Sequence, residues 1–153
     1  MASMKKTLFV AILFASVCTT AHAQIQLFHG TWTRLGTGYV FDFDLKLEHG
    51  AGNKVQGFFD WKFVQYDEKD PFSVSYYKDK IGLTAKEYVK GTYDPATKTY
   101  HVTGYAKDDP DAIISLDEYL LKVDGNGDLG GETRSQNTWL GRINAKSLPL
   151  LDL

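Results

Sequence analysis

Two carboxylates, Glu87 and Asp117, fall in stretches of alternating polarity that also carry large rings at Trp61, Phe63, Tyr119 and Trp139. Ring faces stack on sugars or hold cations, and carboxylates orient hydroxyls or pair with an amine, so acids set among rings describe a small-molecule site. A plainer reading competes with it. Glu87 and Asp117 could be solvated rim groups paired with Lys86 or Arg134, with the rings filling a core. A glycosidase pair would also use two carboxylates, but that mechanism depends on their separation, which spacing along the chain leaves open.

Other chemistry finds less support. The chain has neither a nucleophile elbow nor a phosphate-cradling glycine loop, and its one cysteine, Cys18, lies near the start. Asp124-Gly125-Asn126-Gly127-Asp128 begins like a calcium loop. Leu129 and Ser135 then stand where such a loop needs glycine and glutamate, so the stretch reads as a hairpin turn. His29, His49 and His101 lack the close spacing of a zinc site and read as surface or turn histidines. Neither metal nor cofactor is expected, and the chain is not expected to be an enzyme.

Whether the six candidate residues meet depends on the elements that carry them. Phe41 to Glu48 alternates strictly, one face apolar and the other charged, which is a strand with one side buried and one in water. Val89 to Tyr105 reads as a hairpin turning at Asp94 to Lys98, where Asp opens the turn and Pro95 presets φ. The same pattern recurs along the chain and gives eight strands with almost no helix between them. The fold expected is an all-β, eight-stranded antiparallel up-and-down meander barrel, with a two-sheet sandwich as the alternative. Glycines 57, 91, 104, 131 and 141 support closure, since glycine inside a strand marks a sharp bend or room for a large neighbour.

In an up-and-down barrel the connections segregate. Turns 49–53, 94–98 and 124–128 fall at one end, and the connections 36–38, 66–83, 107–115 and 135–136 at the other. The long segment 66–83 suggests a loop with one helical turn, and Asp109-Pro110 could start a second. Function tends to sit where long loops vary on a rigid scaffold. The inward register carried toward that end places Trp61, Phe63, Glu87, Asp117, Tyr119, Thr133 and Trp139 near the barrel mouth.

Residues 1–23 read as a signal peptide: Lys5 and Lys6 open it, Leu8 to Val17 form its apolar core, and Ala21-His22-Ala23 is a small-x-small cleavage site. Residues 24–146 form the barrel domain, and 147–153 a short C-terminal tail. The product is expected to be exported, to the periplasm or the extracellular space, without stable membrane insertion. The segment holds two of the 17 basic residues and none of the 19 acidic ones, so the remainder has a formal charge of 15 minus 19, or −4. That balance argues against nucleic acid, which calls for a basic patch.

Gly30-Thr31-Trp32 at the first strand resembles the Gly-x-Trp of the lipocalins and the start of avidin-type barrels, both calycin-type folds. In lipocalins a basic residue on the last strand packs over that tryptophan. The resemblance thus implies that Arg142 packs on Trp32 as a structural cation–π pair. The likeness to avidins continues at Leu35-Gly36-Thr37, but Arg34 stands nearest the position of a biotin-binding asparagine, and Gly57-Phe58-Phe59 lacks the hydroxyl of the family's Gly-x-Tyr; biotin is not implied. Gly91 to Pro95, Asp108 to Pro110 and Thr138 to Gly141 are similar to stretches of secreted lipocalin-like bacterial proteins. The function expected is an exported binder of a small apolar or ring-containing ligand, held at the long-loop end. The alternative is a protein-interaction or inhibitor module acting through its acidic loops.

Overall fold

Alternation marks each run as a half-buried strand, and eight such strands can bury their apolar faces by closing into one barrel or by packing as two sheets. The computed structural model describes residues 24–135 and 140–150. Trp139 and residues 1–23 lie outside that range. The strands are β1 (Ile25–Arg34), β2 (Val40–His49), β3 (Lys54–Gln65), β4 (Thr84–Asp94), β5 (Thr99–Asp108), β6 (Asp117–Val123), β7 (Leu129–Ser135) and β8 (Leu140–Leu148). Each pairs antiparallel with the next, and β8 returns to β1, closing an up-and-down barrel in strand order. This is the expected fold rather than the sandwich, and it is compatible with a calycin-type architecture.

Closure pairs both edges of the sheet, so no long strand is left as a template for aggregation. It also brings strands close. A Cβ at Gly57 or Gly91 would sit 1.9 or 2.0 Å from a carbonyl oxygen of the neighbouring strand. In β2, Phe41, Phe43, Leu45 and Leu47 are all buried, while Asp44 faces solvent and accepts a hydrogen bond from His29 at 2.8 Å. His101 pairs with Glu118 at 2.6 Å on the outer surface, and His49 bonds the hydroxyl of Tyr100 at 2.8 Å. All three histidines have the local partners expected of surface and turn residues.

The turns explain themselves from sequence. Asp94 accepts from the Ala96 amide at 2.9 Å and from the Thr97 hydroxyl at 2.8 Å. Asp124 Oδ1 accepts from the amides of Asn126 and Asp128 at 2.8 and 3.0 Å, which closes that hairpin through its own carboxylate. β8 runs to Leu148, two residues into the stretch read as a tail.

The long-loop end departs from expectation in one respect. Segment 66–83 does contain a helix, α1 (Pro71–Tyr77), started by Asp70, which accepts from the Phe72 amide at 3.1 Å with Pro71 at the first helical position. Asp109-Pro110 starts no helix. The Asp109 carboxylate, with its side chain 1% exposed, accepts instead from the amides of Ile113 and Ile114 and from Lys107 Nζ, at 2.8, 3.0 and 2.9 Å. Three donors around one carboxylate hold the loop in an irregular but fixed shape, and burying Ile113 anchors it.

Candidate functional site

The barrel interior divides at about the level of Phe59. Toward the short turns, Leu45, Leu47, Val55, Val89, Tyr100, Val102, Leu121, Leu129 and Ile143 fill it with side chains at most 3% exposed. Toward the long loops the aromatic packing continues as a ladder. Phe59 stacks between Trp61 and Tyr119, with centroids 4.7 Å away on each side. Phe41 meets Phe63 at 4.8 Å and Trp61 at 6.1 Å, and Trp32 meets Phe41 edge-on at 5.6 Å.

Above this ladder lies a cavity of about 100 Å³. Trp32, Phe41, Trp61, Glu87, Asp117 and Tyr119 line it from the barrel. Tyr39, Tyr77 of α1, residues 112–115 and Ser135 complete its wall at the long-loop end. α1 is held there from inside: Ser73 is fully buried, its hydroxyl donates to Asp70 at 2.9 Å and pairs with the Tyr39 hydroxyl, and Tyr77 packs on Tyr39 and Phe63 at 5.3 and 5.4 Å. The two long connections are tied together by Lys80, whose ammonium donates to the Asp111 carbonyl at 2.8 Å while lying 3.6 Å over the Tyr76 ring.

Glu87 is the chemical centre of the wall. At 1% exposure it is neither a rim group nor paired with Lys86, which reaches outward to Asp60 at 3.0 Å. Oε2 accepts from the Trp61 indole at 3.1 Å and the Tyr119 hydroxyl at 2.5 Å, and Oε1 accepts from the Asp117 amide at 3.0 Å. β5 makes room for it with Gly104, where a Cβ would stand 2.0 Å from Oε1. Burial pushes the Glu87 carboxyl up to about 6, against the three bonds that favour its charged form.

Asp117, partly buried beside it, is pushed up to about 7, first by burial and then by the negative charge of Glu87, while a hydrogen bond from Thr133 acts the other way. Thr133 in turn accepts from the Trp32 indole at 2.6 Å. Trp61, Tyr119 and the Asp117 amide therefore converge on Glu87, and the Trp32–Thr133 pair lies on the same wall beside Asp117. The Tyr119 phenol is raised well above its ordinary value by burial and by both carboxyls, so it remains a donor.

No family model, curated protein or solved structure matches the chain. The site must be read from its own geometry.

Of the residues singled out by sequence, Trp61, Glu87, Asp117 and Tyr119 come together on the cavity wall. Phe63 is fully buried behind it, touching Phe41 and Tyr77, and Trp139 lies outside the described residues. Sequence reasoning missed Tyr39, Tyr77 and the 112–115 wall, because loop residues have no alternation to point them inward, and it missed Ser135 by assigning it to the connection 135–136, although it ends β7 in the inward register of Thr133. Phe41 was legible as an inward residue of β2 but was not carried to the mouth.

One expectation is corrected. Arg142 does not pack on Trp32, because it sits on the outer, exposed face of β8 while Trp32 is inside. Gly141 takes the place against the indole, where a Cβ would be 2.1 Å from Nε1. Trp32 is consequently a cavity residue as well as a structural one.

Proposed function

We propose that this protein is an exported binding protein of lipocalin-like or avidin-like type, which holds a small molecule with an apolar or ring-shaped part in the cavity above the aromatic ladder. The observation that carries the reading is the asymmetry of the interior. One half is packed solid, while the half under the long loops keeps a cavity walled by Trp32, Phe41 and Trp61 and furnished with a few converging polar groups. Its volume, about 100 Å³, is smaller than the cavity of about 150 Å³ that takes benzene, so it suits one small ring at most, with any substituent reaching out through the open side.

Binding is favoured over catalysis by the state of the acids. Both Glu87 oxygens already accept hydrogen bonds, which leaves Asp117 as the carboxyl disposed toward a ligand, whereas glycoside hydrolysis needs two working carboxyls. The inhibitor reading is weakened by the acidic loops themselves. Asp70 caps α1, Asp67 accepts from the Lys69 amide at 3.0 Å and Asp109 is buried in its own loop, so these acids hold the loops rather than reach out.

Export rests on the targeting pattern of residues 1–23 and is tested by N-terminal sequencing of the protein from its source, which should begin at Gln24. The binding reading is tested by native mass spectrometry of protein from the same source, backed by tryptophan fluorescence against a panel of single-ring compounds. A co-purified small molecule or a saturable fluorescence change is expected. Protein that is empty and unresponsive to the whole panel would overturn it.

A further inference from the structure

We propose that the cavity selects a small protonated amine, with the Asp117 carboxylate as its charge partner and Trp32, Phe41 and Trp61 around its apolar part. This rests on the reading of the cavity as a ligand site and adds the ligand's charge. Three observations point to it.

First, the wall is electrically one-sided. Glu87 of β4 and Asp117 of β6 both line it, none of the described lining residues is basic, and the Arg34 guanidinium lies 5.5 Å from the ring of the lining residue Tyr39. The cation that acts on Glu87, Lys107, has its ammonium engaged by Asp109 and by the Ile114 carbonyl at 2.9 and 2.6 Å. Carboxyls buried without a cation of their own resist ionisation, and a cationic guest removes that penalty.

Second, the surroundings suit an ammonium ion rather than an anion or a sugar. The electron-rich faces of indole and phenyl rings attract cations. An anionic guest would meet like charge, and the many hydroxyls of a sugar would need more acceptors and donors than Asp117 and the few other polar groups of the wall provide once Glu87 is fully engaged.

Third, the groups facing Asp117 hold it in place without neutralising it. Glu87 approaches from β4, Tyr119 follows on β6 with its hydroxyl committed to Glu87, and Thr133 donates from β7. The amine would complete the one acid of the pair that lacks a full set of donors. Because Asp117 is only partly ionised at neutral pH, amine binding should drive out a proton and strengthen as the pH rises.

The test uses the protein without its first 23 residues, as the exported form would be, and three ring probes of one size: benzylamine, benzyl alcohol and benzoate, measured by calorimetry. Benzylamine should bind tightest. Its affinity should rise roughly tenfold from pH 6 to pH 8, as expected when one group near neutrality must ionise, while that of benzyl alcohol stays flat. Asp117→Asn, which keeps the shape and an acceptor for Thr133, should weaken benzylamine by about tenfold or more, the scale of a lost charge-assisted bond, with benzyl alcohol little changed. If benzyl alcohol or benzoate binds as well as benzylamine, or if Asp117→Asn affects all three alike, the amine inference falls and the ligand site stands. If none of the three binds, the ligand site falls with it.

Discussion

The two halves of the barrel are built from the same strands and the same alternation, yet they do different work. Below Phe59 the buried side chains are all aliphatic or aromatic, and they fill the interior. Above it, the inward positions include Glu87, Asp117, Thr133 and Ser135, two of them titratable, beneath a roof made of loops rather than strands. A small antiparallel barrel can be filled by its own side chains. A cavity persists only where large rings oppose each other and a polar network fixes them at a distance. The filled half supplies the stability that lets the upper half keep two carboxyls in surroundings that disfavour their charge.

Changes on either side of that divide should give different readouts. Phe59→Ala, at the boundary and fully buried between two stacked rings, should cost about 3–5 kcal/mol in chemical denaturation, as large-to-small core changes do. A smaller loss would mean the ladder can collapse into the cavity above it.

The acid pair should make the upper half pH-sensitive. Both carboxyls have folded values raised above the ordinary range near 4, so their contribution is most favourable below that range and is lost as pH rises through about 6 and then about 7. Stability should fall by on the order of 2–3 kcal/mol between pH 5 and pH 8. Asp117→Asn should flatten most of that slope. Thermal denaturation across this range checks both, and a wild-type protein that gains stability toward pH 8 would contradict the burial of the pair.

Removing a roof contact should be milder and local. Ser73→Ala deletes the hydroxyl that joins Asp70 to Tyr39, at about 1–2 kcal/mol. Hydrogen exchange should speed up in α1 with the β4–β5 amides unchanged. Equal acceleration in both would mean the roof and the barrel open as one unit. At the bottom of the scale, Glu118→Gln removes an exposed partner of His101 and should move stability by no more than a few tenths of a kcal/mol.

Much of this molecule can be read from its residues. The run Phe41 to Glu48 announces which face of β2 is inside, and the Asp-led turns at 94–98 and 124–128 announce which ends are short. Counting the inward register upward from those turns reaches Trp61, Glu87, Asp117 and Tyr119 correctly, because a period of two leaves each side chain only two directions. Arg142 shows where likeness misleads: the alternation of β8 puts Gly141 and Ile143 inside, and therefore Arg142 outside. The 112–115 wall and the place of α1 were not legible, since loops obey no period and their shape follows from bonds such as those converging on Asp109.

The sequence by itself determined where strands form, which faces of the clearest runs turn inward and the division into a short-turn and a long-loop end, all of which follow from local patterns that the backbone must respect. Only the tertiary structure decided that the sheet closes on itself, that the carboxyls of β4 and β6 share one wall, that Glu87 is tied to three donors, and that loop residues complete the cavity wall. Those facts depend on distances between strands far apart in the chain. The strengths of burial, hydrogen bonding and charge that shift a carboxyl toward neutrality are set by those distances.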